Sequence, residues 1–193
     1  MSMKRYALGL TVAAGALAAG AWTAATPAQA AEPFTITSST FKDGTMLQKK
    51  NAGTRPGNAN CVGEDVSPEL SWSNPPAGTK SFALTMVDAE GRGGLGVDHW
   101  IAYGIPASVT SFAEGEGSKP SDKFVGGTGT NKNTVYGGPC TPPGAAHHYN
   151  ITLIATDLDP KALKPGLTKE ELFKALAGHA KGATGIVGLF KHP

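Results

Sequence analysis

Three apolar runs frame this chain. Ser81–Asp88 (SFALTMVD) is apolar at almost every position and ends on a carboxylate. Val97–Pro106 (VDHWIAYGIP) and residues 147–155 (HHYNITLIA) begin polar and turn apolar and β-branched. Runs of this length and composition, bounded by Gly and Pro, predict strands. Two flanking runs, 34–41 (FTITSSTF) and 183–190 (ATGIVGLF), predict a first and a last strand, and 67–72 (SPELSW) leads into another. One stretch has a helical period instead. Leu172, Phe173, Leu176, Ala177 and Ala180 follow Thr168-Lys169-Glu170-Glu171, a capping box, so a helix is expected from 168 to about His179. Short strands with Gly/Pro turns and little helix predict a mainly β fold: a two-sheet antiparallel β-sandwich with one or two peripheral helices.

The connections sharpen this picture. Residues 46–63 read as a polar loop carrying a short strand. Residues 108–133 read as a long surface loop. The glycines at 126, 127 and 129 lack the strand-before, helix-after context of a phosphate-cradling loop. The first 30 residues have a different pattern. Lys4 and Arg5 precede an apolar, Ala-rich run from Leu8 to about Ala21, and Ala28-Gln29-Ala30 is a small-x-small cleavage signature. Residues 1–30 are therefore expected to be a signal peptide, and 31–193 the folded domain. The apolar run is too short and too interrupted to span a membrane. The expected address is periplasmic or secreted, with no transmembrane segment in the mature chain.

Charge adds one exclusion. Without Lys4 and Arg5, the 17 basic residues become 15 and match the 15 acidic ones. No basic surface points to nucleic acid. Any anion site must be local.

Candidate chemistry sits at the strand ends. By alternation His147 and Tyr149 share one face of their strand, and His148 faces the other. The same rule puts His99 on one face of its strand and Asp98 and Trp100 on the other. Imidazoles and a phenol can donate to an oxyanion, and a carboxylate favours the charged form of a neighbouring imidazole. Zinc would need three or four ligands, and the adjacent His147 and His148 cannot face one ion. No Gly-x-Ser-x-Gly elbow is present.

Taken in order, SPELSW (67–72), GTKSFALTMVDAE (78–90), DHWIAYGIP (98–106), GGPCTPPGAAHHYNITLIATD (137–157) and AGHAKGATGIVGLF (177–190) resemble the phosphatidylethanolamine-binding protein family, in its bacterial Raf-kinase-inhibitor-like branch. The resemblance covers about residues 34–190. It implies a small anion pocket lined by Asp88, His99, His147 and Tyr149, with Gly138 and Pro139 as the shaping turn. Glu90, Asp98 and Trp100 become candidate rim residues. Ala89 and Glu90 stand where animal members have prolines, and Cys140 to Pro143 lengthen the turn.

The implied function is binding without catalysis, metal or cofactor. The ligand would be a small phosphorylated molecule or phospholipid head group, with a protein partner at the pocket rim as a further role. The alternative is an inhibitor or modulator of an extracytoplasmic protease or other enzyme. Export and a count of two cysteines make a Cys61–Cys140 disulfide the expected pairing, against two buried thiols.

Overall fold

The computed structural model describes Met1 and residues 32–193, and Glu32–Pro193 forms one compact unit. The expected signal peptide lies outside the described residues. Among the described residues nine strands run in chain order as β1 (Thr35–Thr37), β2 (Thr45–Met46), β3 (Leu70–Ser73), β4 (Ser81–Asp88), β5 (Val97–Pro106), β6 (Ser111–Phe112), β7 (Val125–Gly126), β8 (His147–Thr156) and β9 (Ala180–Phe190). They build a three-stranded sheet, β1-β3-β6, and a six-stranded sheet, β2-β9-β8-β4-β5-β7. Every pairing is antiparallel except β2 with β9, which is parallel. Among the described residues two α-helical segments accompany them, α1 (Gly91–Gly94) and α2 (Lys169–Leu176). Neither sheet closes on itself.

The large sheet is covered on both faces, which explains why β4 reads as a continuous apolar run. On one side Leu84, Met86, Trp100, Ile151 and Leu153 pack against Ile36, Leu70, Trp72 and Phe112 from the small sheet. On the other, Ala83, Ile101 and Tyr103 meet Leu172 and Leu176 of α2. The α2 capping box forms as expected. Thr168 Oγ1 accepts from the Glu171 backbone N–H, and the Glu171 carboxylate accepts from the Thr168 N–H at 2.9 Å. The helix stops at Leu176, before His179. Gly178 lies in the left-handed region at φ 81°, and glycine there ends a helix without strain.

The 108–133 segment is not the surface loop expected from its composition. It contributes β6 and β7 and buries Phe112, Gly117 and Phe124. The rings of Phe112 and Phe124 pack on Trp100 at centroid distances of 5.6 and 6.1 Å. Two isolated aromatics among many glycines give no periodic signal, yet each buries a large apolar area.

One irregularity positions the site. Met86 pairs with Trp100 and Val87 with Asp98, so His99 is an extra residue in β5. Such a bulge breaks the alternation and re-aims side chains. His99 packs edge-on to Tyr149, and Trp100 joins the same core cluster. Asp98 is left on the other face, bonded to Lys169 at 2.6 Å.

Candidate functional site

The ends of β4, β5 and β8 surround a cavity of about 430 Å³. Its walls include Arg55, Asp88, Glu90, Arg92, His99, Asn131, His147 and the Cys140–Pro142 segment. The strand register brings them together. Asp88 pairs with Tyr149 across β4 and β8, which makes His147 its diagonal neighbour on the same face. His147 Nδ1 donates to Asp88 Oδ2 at 2.8 Å. The other Asp88 oxygen accepts the backbone N–H groups of Glu90 and Gly91 at 3.0 and 2.9 Å. Both oxygens of the buried carboxylate thus have hydrogen-bond donors before any ligand arrives.

His99 is 5% exposed and its Nδ1 lies 2.7 Å from the carbonyl oxygen of Gly137. Burial pushes this imidazole below its ordinary value. The carbonyl of Gly137 and the Asp88 charge pull upward, and the Arg55 charge pushes down again. The expected rise beside Asp88 does not occur at His99, because desolvation of the charged ring outweighs the carboxylate.

Tyr149 stands behind the cavity wall. It is fully buried, and its hydroxyl shares a hydrogen bond with Thr141 Oγ1 at 2.7 Å. Burial drives this phenol well above its usual value. Gly138 and Pro139 likewise sit behind the wall and hold the turn against the 51–53 segment. Gly53 N–H donates to the Pro139 carbonyl at 2.7 Å, and Gly138 N–H to Asp65 Oδ1 at 2.7 Å. A Cβ on Gly138 would come within 2.3 Å of the Asn51 oxygen. The Cys61–Cys140 disulfide ties the far end of the 46–63 segment to the same turn.

The three rim candidates separate. Glu90 lines the cavity. Slight burial opposes its charge, but the His148 ring and backbone N–H bind the carboxylate and lower it to about 2. The ring contact, from Nδ1 to Oε1, is 2.6 Å. Trp100 does not roof the cavity; it is 0% exposed and part of the core. Asp98 is on the opposite face beside Lys169. The bulge at His99 accounts for Trp100; Asp98 faces away from His99, as alternation expects.

Arg55 is the residue the strand pattern missed. It sits in the polar 46–63 segment, where no periodicity marks it. The Asn131 carboxamide, oriented with its oxygen toward Arg55, accepts from Nη1 and Nη2 at 3.0 and 3.1 Å. Arg92, at φ 55°, lines the opposite side of the mouth. Asp88, Glu90 and His147 also place ligand-type atoms within 4.8 Å of one another. Those atoms already pair with each other, with His148 and with backbone N–H groups. The arrangement offers guanidinium donors and two imidazoles to a small oxyanion.

Comparison with known proteins agrees with this architecture. A family model described as "Phosphatidylethanolamine-binding protein" matches residues 37–191. The chain belongs to this family. It is 39% identical over 171 residues to "Putative lipoprotein LppC" of Mycobacterium tuberculosis, covering 87% of this chain and 77% of that protein. It is 37% identical over 133 residues to the UPF0098 protein YbcL of Escherichia coli, covering 66% of this chain and 70% of the relative. The crystal structure of E. coli YbcL, described as a new member of the mammalian PEBP family, superposes with a TM-score of 0.73 at 29% identity, covering 82% of this chain and 98% of the other. The homolog CT736 from Chlamydia trachomatis gives 0.70 at 30% identity, covering 83% and 98%. Among the described residues, no helix is long and apolar enough to cross a membrane.

Proposed function

We propose that this protein is an exported, non-enzymatic binding protein that holds a phosphorylated small molecule or head group in the Asp88–His99–His147 cavity. The observation that carries the reading is the convergence of Arg55, His99 and His147 on one cavity whose buried carboxylate already has hydrogen-bond donors on both oxygens within the protein. Guanidinium groups bind phosphate oxygens through several parallel hydrogen bonds, and a partly desolvated site strengthens each. Binding rather than catalysis fits the lining. Both cysteines are bonded to each other, and the Thr141 hydroxyl is taken by Tyr149. No cavity Ser or Cys is left for His147 to activate.

Export is supported by the basic-apolar-AQA leader pattern and by the disulfide, which persists in oxidising compartments. The lipoprotein name of one relative is consistent with an envelope address.

Calorimetric titration with inorganic phosphate and phosphoethanolamine tests the pocket. Saturable binding of either, lost in His147→Ala and largely kept in His148→Ala, is the expected result. Absence of binding by the parent protein would overturn the reading.

A further inference from the structure

The His99 ring goes further and specifies the chemical form of the ligand; this step rests on the anion-pocket reading above. A carbonyl oxygen can only accept, so the 2.7 Å contact to Gly137 places the His99 hydrogen on Nδ1. In the neutral ring Nε2 is then a lone-pair acceptor. Nε2 has no protein partner among the described residues, and His99 lines the cavity at 5% exposure. Its surroundings come from several segments: Asp88 from β4, Tyr149 from β8, Arg55 from the 46–63 segment, and the Gly137 and Gly138 carbonyls from the turn. Burial is the largest influence and favours the neutral ring; Arg55 acts in the same sense.

We propose that the cavity selects oxyanions that carry a proton, namely phosphate monoesters or phosphonates in the singly protonated form. The P–OH donates to His99 Nε2, and the remaining oxygens accept from the Arg55 guanidinium. A phosphodiester carries the same single charge but has no P–OH. Sulfate has neither ester nor proton at neutral pH. Either would set an oxygen lone pair against the Nε2 lone pair of an imidazole that is only 5% exposed, leaving a buried acceptor unsatisfied. The preference therefore separates a free phosphate monoester from the diester phosphate of an intact phospholipid.

The test uses the unmodified protein and three probes at equal ionic strength: phosphoethanolamine, glycerophosphoethanolamine and sulfate. At about pH 6, near the second ionisation of a phosphate monoester, phosphoethanolamine should bind at least tenfold tighter than the other two. Between about pH 5.5 and 8 the ratio of phosphoethanolamine to sulfate affinity should fall toward one, as the monoester loses its proton. Sulfate does not titrate in this range, so its own profile reports the protein's groups, and the ratio isolates the ligand proton. A diester or sulfate affinity less than tenfold weaker, or a ratio that does not change with pH, overturns the selectivity while leaving the pocket standing. Failure of all three probes and of inorganic phosphate to bind overturns the pocket as well.

Discussion

The hydroxyl of Tyr149 lies 2.7 Å from Thr141 Oγ1, a residue that lines the cavity together with His99. The His99 and Tyr149 rings meet edge-on at a centroid distance of 5.1 Å. Tyr149 thus supports the imidazole and the 140–142 turn and is not among the residues that line the cavity. Tyr149→Phe keeps the ring and removes one buried hydrogen bond. We expect a loss of about 1 kcal/mol in urea unfolding and phosphate affinity within about twofold of the parent. A tenfold affinity loss with unchanged stability would put the hydroxyl in the site.

Arg55 is expected to carry most of the anion affinity. Charge-assisted hydrogen bonds contribute roughly 1.5–3 kcal/mol each, so Arg55→Gln should weaken phosphate binding about ten- to a hundredfold. Arg55→Lys should recover only part of that, because a lysine cannot reproduce the planar fork. Arg55 is outside the hydrophobic core, and neither variant should move the unfolding midpoint by more than about 0.5 kcal/mol. Equal phosphate affinity in parent and Arg55→Gln, measured calorimetrically, would remove Arg55 from the site.

The contrast between Arg55 and His147 shows where the sequence was legible. β4, β5, β8 and the α2 cap follow from periodicity and capping chemistry, so the face of His147 and its approach to Asp88 could be read from alternation. Alternation failed at His99 because a bulge inserts one residue opposite Met86 and Val87, and no residue type in VDHWIA announces it. That single slip put Trp100 on the wrong side. Arg55 and Asn131 lie in aperiodic segments whose positions depend on distant contacts. The Tyr136 hydroxyl donates to the Asn51 carbonyl at 2.7 Å, and Asp65 bridges Thr54 and Gly138. Contacts between residues so far apart in the chain leave no local pattern.

Those same contacts make the disulfide a pocket element. Cys61 and Cys140 are 79 residues apart, and closing a loop of that length stabilises the folded chain by about 4 kcal/mol in the chain-entropy estimate. The pair Cys61→Ala with Cys140→Ala should lose stability of that order in urea unfolding. Affinity for phosphate should fall with it, because the bridge fastens the Arg55 segment to the turn that lines the cavity. A double variant within about 1 kcal/mol of the parent, with full affinity, would show that the backbone hydrogen bonds suffice.

Burial of neutral His99 has a consequence for stability with a definite sign. In the unfolded chain this imidazole has its ordinary value of 6.5; in the folded protein it is lowered, chiefly by burial. Between the two values the unfolded chain binds a proton that the folded state refuses, so stability falls as pH drops below about 6.5 and levels off once pH passes below the folded value. Above 6.5 this contribution is flat. Glu90 acts in a lower window. Its folded value of about 2, against 4.5 unfolded, gives stability that is present above 4.5 and is lost toward pH 2. Its carboxylate is largely solvent-exposed, so screening keeps that contribution small. The His99 contribution is read as the difference in pH slope, between about pH 5 and 7, of urea unfolding for the parent and His99→Gln; the parent should be steeper. Ring nitrogen shifts of the unmodified protein give a second reading that needs no variant. They should place the hydrogen on Nδ1 and leave His99 less protonated at pH 6 than an ordinary imidazole. Parallel pH profiles, or a His99 ring that is fully protonated at pH 6, would show that Asp88 and the Gly137 carbonyl outweigh burial.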